Sequence, residues 1–203
     1  GLYHVPKDYF SAAAIALLSA KKEIFIASWK NTPRIHLTRP PLPPLRLDQI
    51  LAYKATQGVK VHIILYKEVE LSGQGNDSGL AQSYLENLSP QGNIYVLRHP
   101  NKILGGSTAI MWSHHEKLTI IDRNLAFVGG IDMAVGRWDD EIKCLDDEDG
   151  LKYPGKDYRQ PAEKMYPPAR SLHLPSTDPN AKSTMGPGRN VMTNVMNMVN
   201  RTG

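Results

Sequence analysis

A mixed α/β sheet flanked by helices, followed by a disordered C-terminal tail, is the architecture this sequence predicts, and three observations carry it. Stretches with helical apolar spacing alternate with short aliphatic runs between Asp8 and Leu97. A further strand-like run, Leu118-Thr119-Ile120-Ile121, follows the polar cluster His114-His115-Glu116-Lys117. Beyond Met165, Pro167, Pro168, Pro175, Pro179 and Pro187 punctuate a polar stretch. That stretch is too poor in large apolar side chains to offset the entropy of ordering. The division that results is a folded unit over 1–165 and a low-order tail over 166–203.

Taken in order, Asp8 to Ala20 places Phe10, Ala13, Ala14, Leu17 and Leu18 on one helical stripe, with Lys21 and Lys22 at the end where cations suit the helix dipole. Glu23 to Trp29 reads as a strand, and Ile24-Phe25-Ile26-Ala27 is apolar enough to be buried on both faces. Five prolines between Thr32 and Pro44 predict an irregular loop, because proline withholds amide donors and restricts the residue before it. Leu47 to Gln57 is a second helix, closed by Gly58, and Val59 to Tyr66 a near-continuous apolar strand. Ser78 to Leu88 followed by Ile94 to Leu97 repeats the helix-to-strand succession. Gly105-Gly106-Ser107 then delivers the chain to the polar cluster and its strand, and a second short strand, Leu125 to Val128, ends at Gly129-Gly130. Missing Cβ atoms there allow a tight turn or a close approach of backbone to ligand. Near the C-terminus, Val191, Met192, Val195, Met196 and Val199 share one face of a short helix.

The bulk composition sets limits. A chain of 203 residues with 41% hydrophobic side chains has enough for a buried core. No apolar run approaches the ~20 residues of a membrane span, and no signal-peptide pattern is present. The chain reads as a piece of a longer soluble or peripheral protein. One cysteine, Cys144, makes no internal disulfide and suits a reducing, cytoplasmic compartment. Residues 1–66 hold nine Lys/Arg against three Asp/Glu, and 131–149 hold two against eight. The basic part suits an anionic partner such as a lipid surface or a nucleic acid, or is simply a set of solvated faces. Asp146-Asp147-Glu148-Asp149 reads as a solvated loop rather than a metal site, because its carboxylates are adjacent rather than spaced.

The chemistry concentrates at His115 and Lys117. Two apart and continued by a strand, they leave the same face, so an imidazole and an ammonium converge. A phosphodiester needs that pairing: neutral imidazole attacks phosphorus while a fixed cation draws off charge developing on the non-bridging oxygens. His114 takes the other face. Asp122 also has the opposite parity, which makes it a structural or turn residue at Asp122-Arg123-Asn124. The helical zinc pattern His-Glu-x-x-His fails, since Thr119 stands where its second histidine belongs, and no metal or other cofactor is called for. Asp132, Asp139 and Asp140 are candidates to hold the other nitrogen of the imidazole. Arg137 and Trp138 either line a head-group pocket or cap the core edge.

The run His115-x-Lys117-x-x-x-x-Asp122, then Gly129-Gly130, Ile131-Asp132 and Gly136-Arg137-Trp138-Asp139-Asp140, resembles the eukaryotic phospholipase D family. So do Gln57-Gly58-Val59-Lys60-Val61, Ile64 to Glu70 and Tyr153-Pro154-Gly155-Lys156-Asp157-Tyr158, so that the likeness covers roughly Tyr9 to Gln160. The resemblance implies a catalytic set of His115, Lys117 and Asp122, with Asp132, Arg137, Trp138 and Asp139 toward the substrate. It further implies hydrolysis of phosphatidylcholine-like lipid to phosphatidic acid and free alcohol through a phosphohistidine, by a peripheral membrane enzyme. The family's second His-x-Lys-x-x-x-x-Asp motif does not occur in the chain, so a second half or a symmetry mate is implied as a partner. Two other readings stand beside it: a nucleic-acid phosphodiesterase of the same superfamily acting as a dimer, with nucleic acid the less favoured ligand, and a noncatalytic regulatory fragment. Where the family is expected to carry Asp-Trp-Trp and Ser-Pro-Glu near the first strand, this chain has Ser28-Trp29-Lys30 and Thr32-Pro33-Arg34.

Overall fold

The fold is taken from a computed structural model, which describes residues 1–68, 76–99, 114–143 and 146–157. The Gly105-Gly106-Ser107 stretch, Cys144, the Tyr158 end of the Tyr-Pro-Gly-Lys-Asp-Tyr segment and the whole tail from 166 lie outside the described residues. Helix α1 (Pro6–Ser19) starts on a proline whose fixed φ suits the first helical position. It buries Phe10, Ala13, Ala14, Leu17 and Leu18, the stripe its spacing predicts. Strand β1 (Glu23–Ser28) follows. The proline-rich segment is more regular than its composition suggests, because β2 (His36–Thr38) and β3 (Leu45–Arg46) pair as an antiparallel ribbon that carries most of the prolines in its connection. Within that connection Thr38 Oγ accepts from the Leu45 amide at 2.9 Å, supplying a bond that the prolines cannot.

Helix α2 (Leu47–Thr56) ends where Gly58 takes φ +83°, a left-handed value that costs glycine nothing. Strand β4 (Lys60–Tyr66), helix α3 (Ser78–Asn87), β5 (Ile94–His99), β6 (Leu118–Ile121) and β7 (Leu125–Val128) complete the unit. The five long strands form one sheet in the order β5-β4-β1-β6-β7. Strands β5, β4 and β1 run parallel, while β6 and β7 run antiparallel to their neighbours.

One sheet face presents Ile24, Ile26, Val61, Ile63, Leu65, Ile94, Val96 and Ile121, which join the apolar stripes of the three helices in a single core. The other face does not meet the expectation of burial on both sides. Phe25 and Ala27 are half-buried, and Ile64 and Leu97 are 41% and 58% exposed. Across that face Phe25, His62 and Tyr95 stack in a row, with ring centroids 5.1 and 5.3 Å apart. Among the described residues the helices cover one face only.

The register decides where a site can form. Ser28 pairs with Leu65, Tyr66 with His99, Ala27 with Leu118, and Leu118 with Val128. The carboxyl ends of all three parallel strands therefore open onto one edge, together with the approach to β6 and the exit of β7. In sheets of this kind, ligands bind beyond those carboxyl ends.

Candidate active site

His114 to Lys117 lie on that edge, but just before β6 rather than within it. The reason is Asp132. Its Oδ1 accepts the Trp29 amide at 3.1 Å and the Lys30 amide at 3.3 Å. Donors that would have continued the β1–β6 ladder are thus capped by a carboxylate. On the other side the pairing continues one step further, with the Gly129 amide donating to the Lys117 carbonyl at 3.3 Å.

His115 and Lys117 occupy the same edge in different surroundings. The His115 side chain is exposed, its ring lies 5.5 Å from that of Trp29, and its ring nitrogens make no hydrogen bond among the described residues. Lys117 is buried, and its ammonium donates to the His115 carbonyl at 3.1 Å and meets Asp132 Oδ2 at 3.3 Å. An ammonium has three N–H groups, so among the described residues one remains for a ligand oxygen. Asp132 is thus brought to the site. It pairs with Lys117 rather than with an imidazole, and the pairing answers the repulsion that a bare carboxylate would offer to phosphate.

The other sequence-selected residues scatter. Asp122 lies beyond the opposite end of β6, about 16 Å from Lys117 at strand spacing, with φ +52°. Its carboxylate accepts the amides of Lys21, Lys22 and Glu23 at 2.8, 2.8 and 2.9 Å, which staples the start of β1 to the end of β6. Those amides hold the carboxyl below its ordinary range against the opposing effect of desolvation. The parity reading of Asp122 as structural fits this placement, and the structure does not bring it to His115.

Trp138 is buried beneath the Arg39 guanidinium, 4.1 Å from its ring centroid, and meets Tyr153 edge-on at 5.6 Å. Arg39 in turn forms a buried pair with Asp157, one arm at 2.9 Å. This is the core-edge role. Asp139 accepts from the Asp140 amide at 2.9 Å and pairs with Lys143 at 3.2 Å. Asp140 pairs with Lys152 at 3.0 Å. Among the described residues neither Asp139 nor Asp140 touches an imidazole. Arg137 is half-buried, and among the described residues its one hydrogen bond goes to the Gly136 carbonyl at 3.5 Å.

Gly129 and Gly130, expected to allow a tight turn or a close approach of backbone to ligand, lie in a bend that does not itself require glycine. Neither has positive φ, and a Cβ on either would meet nothing within 4 Å. The space above them is open. In the acidic loop, Asp147 accepts the amides of Lys152 and Tyr153 at 2.9 and 2.7 Å, so this carboxylate organises the loop.

Sequence reasoning missed the imidazole-aromatic cluster beside the site. His114 is part-buried, its Nδ1 2.5 Å from Glu116 Oε2, and its ring lies 6.2 Å from Tyr66 and 6.3 Å from His99. Trp29 stacks on Tyr66 at 6.4 Å. Tyr66 and His99 are the last residues of neighbouring parallel strands, a signal available only once the register is known.

Known proteins resemble the chain over these elements. A family model described as Phospholipase D matches residues 16–162. The chain is 49% identical over 148 residues, 72% of its length, to Phospholipase D1 of Homo sapiens. It is 41% identical over 156 residues, 76% of its length, to Phospholipase D zeta 2 of Arabidopsis thaliana, and 42% identical over 164 residues, 79% of its length, to Phospholipase D A of Dictyostelium discoideum. It spans 13%, 14% and 12% of the lengths of these three proteins.

Proposed function

The chain belongs to the phospholipase D family, and from that premise we propose that it forms one catalytic half of a phosphodiesterase that cleaves glycerophospholipid to phosphatidic acid and a free alcohol. The observation that carries the reading is an exposed imidazole at His115, without a hydrogen bond among the described residues, on the same sheet edge as the buried Lys117 ammonium, which the His115 carbonyl and Asp132 hold and which among the described residues keeps one N–H for a ligand. In the proposed step the imidazole nitrogen attacks phosphorus, the bond from phosphorus to the head-group oxygen breaks, and the departing oxygen takes a proton from an acid. Lys117 stabilises charge on a non-bridging oxygen. Water then displaces the histidine from phosphorus, which releases phosphatidic acid and restores the imidazole.

Asp132 acts here as a positioning residue. It fixes Lys117 while holding the end of β1 through two amides. The acid belongs to a second half carrying its own histidine, from further chain or from a symmetry mate. A peripheral position on a cytoplasmic membrane surface fits a lipid substrate; no helix among the described residues is long and apolar enough to cross a membrane. The basic count of residues 1–66 lends little to a nucleic-acid groove, because Arg39, Arg46 and Lys7 are spent on Asp157, Asp48 and Glu141. Trapping the phosphoenzyme on acid quench of the complete enzyme with labelled lipid, then mapping the label, tests the reading. A label at His115 is expected, and turnover without one at either motif histidine overturns it.

A further inference from the structure

We infer that Trp29 is a positioning residue for the His115 nucleophile. Its indole sets the orientation of the imidazole, and its stack on Tyr66 sorts the two adjacent histidines, so that His115 rather than His114 meets phosphorus. This rests on the phosphodiester reading above and adds a residue to that site.

Strand parity brings Trp29 to the site. Phe25 pairs with His62 and Ala27 with Ile64 on the sheet face that the helices leave uncovered. Trp29 and Tyr66 fall two residues beyond Ala27 and Ile64, on the same parity, and their rings meet at the carboxyl edge of β1 and β4. There they stack, with centroids 6.4 Å apart and planes within 17° of parallel. Main-chain bonds fix the indole from the other side: the Trp29 amide donates to Asp132 Oδ1 at 3.1 Å, and its carbonyl accepts from Asn76 Nδ2 at 3.3 Å. Tyr66 is buried, so the half-buried indole has a firm backing.

The two histidines divide between the two rings of this stack. The His115 ring lies 5.5 Å from that of Trp29 at 49°, whereas the His114 ring meets Tyr66 edge-on at 6.2 Å and 73°. The contacts also close a loop. Asp132 Oδ1 holds the Trp29 amide, its Oδ2 meets the Lys117 ammonium at 3.3 Å, that ammonium donates to the His115 carbonyl at 3.1 Å, and the His115 ring returns to Trp29. One carboxylate therefore locates both the cation for the phosphate oxygens and the ring against which the nucleophile lies. An exposed imidazole without a hydrogen bond turns freely among its staggered wells, and attack on phosphorus needs a well that aims a nitrogen at it. An aromatic contact selects that well without occupying a ring nitrogen, which keeps the nitrogen available for attack.

Rapid-quench trapping of the phosphoenzyme in the complete enzyme, with labelled phosphatidylcholine, measures the attack step alone. Trp29→Leu should slow phosphorylation of His115 about tenfold, the loss that one aromatic contact allows, while KM stays nearly unchanged. Trp29→Phe, which keeps a ring, should recover to within about threefold of the parent. Trp29→Met fills similar space without a ring and carries the same expectation should Trp29→Leu fail to fold. Proton spectra of the 203-residue chain report the geometry directly: removing the indole should shift the His115 ring protons through the lost ring current and leave those of His36 in place. Label that spreads to His114 in the ringless variants supports the sorting. Phosphorylation as fast in those variants as in the parent, a loss carried by KM alone, a Trp29→Phe variant no faster than Trp29→Leu, or His115 ring signals that ignore the indole would each overturn the role. With those outcomes the label still maps to His115 and the phosphodiester site stands. A parent enzyme that turns over without label at His115 overturns the site itself, and the role of Trp29 with it.

Discussion

Lys117 Nζ lies 3.3 Å from Asp132 Oδ2, and the two side chains are 4% and 2% exposed. A pair so deeply buried is fragile to the loss of one member, because the survivor keeps its desolvation cost without its partner. Lys117→Ala or Asp132→Ala should each destabilise the chain by about 3–5 kcal/mol. Replacing both, as in Lys117→Met with Asp132→Leu, should cost less than either single change. Chemical denaturation measures all three, and a double variant that loses the sum of the singles would show that no pairing energy exists.

His115 stands in the opposite situation. With its side chain exposed and its ring free of hydrogen bonds among the described residues, it contributes little to the fold through that side chain. His115→Ala should shift stability by no more than about 0.5 kcal/mol, the usual range for surface changes. In the complete enzyme the same variant should lose turnover entirely. Lys117→Arg should also be poor, since a planar fork does not replace a compact ammonium beside Asp132. Near-normal turnover by His115→Ala would remove it from the nucleophile's role.

Asp122 separates motif membership from chemistry. Its carboxylate accepts three amides at the start of β1 and none at the site. Asp122→Ala should therefore cost about 1–2 kcal/mol of stability, with Asp122→Asn milder because one acceptor oxygen remains. Turnover per folded molecule should hold in the Asn variant. A loss of kcat comparable with that of His115→Ala, in a protein of unchanged Tm, would place Asp122 in the reaction instead.

Much of the fold is legible in the sequence because local spacing and burial agree. The stripe of α1, the Gly58 stop and the aliphatic runs of β4 and β5 each need only their own residues to be read. What the spacing does not reveal is how a ladder ends. Strand parity sets His115 and Lys117 on one face, but the β1 partner residues past Ser28 are claimed by Asp132, fifteen residues after Lys117, and the chain there leaves regular pairing. Trp138 follows the motif in sequence yet lies under Arg39, because a contact between residues so far apart in the chain leaves no periodic trace, while Asp139 pairs locally with Lys143. The expectation that Ile24 to Ala27 is buried on both sides reads composition correctly and coverage wrongly, since what lies over a sheet face is not written in the strand.

His36 offers a pH test away from the site. Burial first, then the charges of Arg46 and Arg39, push its imidazole down to about 4. The folded state thus binds a proton less readily than the unfolded chain, whose imidazole titrates near its ordinary value. The stabilisation is full above about pH 6.5 and is lost as pH falls toward 4. The shift corresponds to about 3 kcal/mol at most, and roughly 1–2 kcal/mol after allowance for solvent screening of a half-buried group. Carboxylates titrate in the same window, so the measured quantity is the difference between parent and His36→Gln. The variant's stability should fall less between pH 7 and 4, and parallel curves would place the imidazole outside the linkage.

Displacement at phosphorus through a covalent histidine needs an acid on the far side from the nucleophile, because an alkoxide leaves poorly without a proton. His114 is near, but it adjoins His115 in sequence, its Nδ1 is held by Glu116 and its Nε2 is buried. It cannot stand on the opposite side of a phosphorus that His115 attacks. His99, at the end of β5, lies against the His114 ring, and among the described residues no carboxylate holds it as an acid. The chain alone should therefore bind a phosphodiester without turning it over. An isologous dimer that sets two His115-Lys117 pairs across its axis would meet the chemical need, as would a second half in longer sequence. Measuring phosphodiesterase rate against concentration, together with mass in solution, separates the cases. Rate per chain that rises with dimer population identifies the symmetric site, and an inactive monomer rescued by a second-motif fragment identifies the other. Robust turnover by a dilute monomer would show that the acid is already present in this chain.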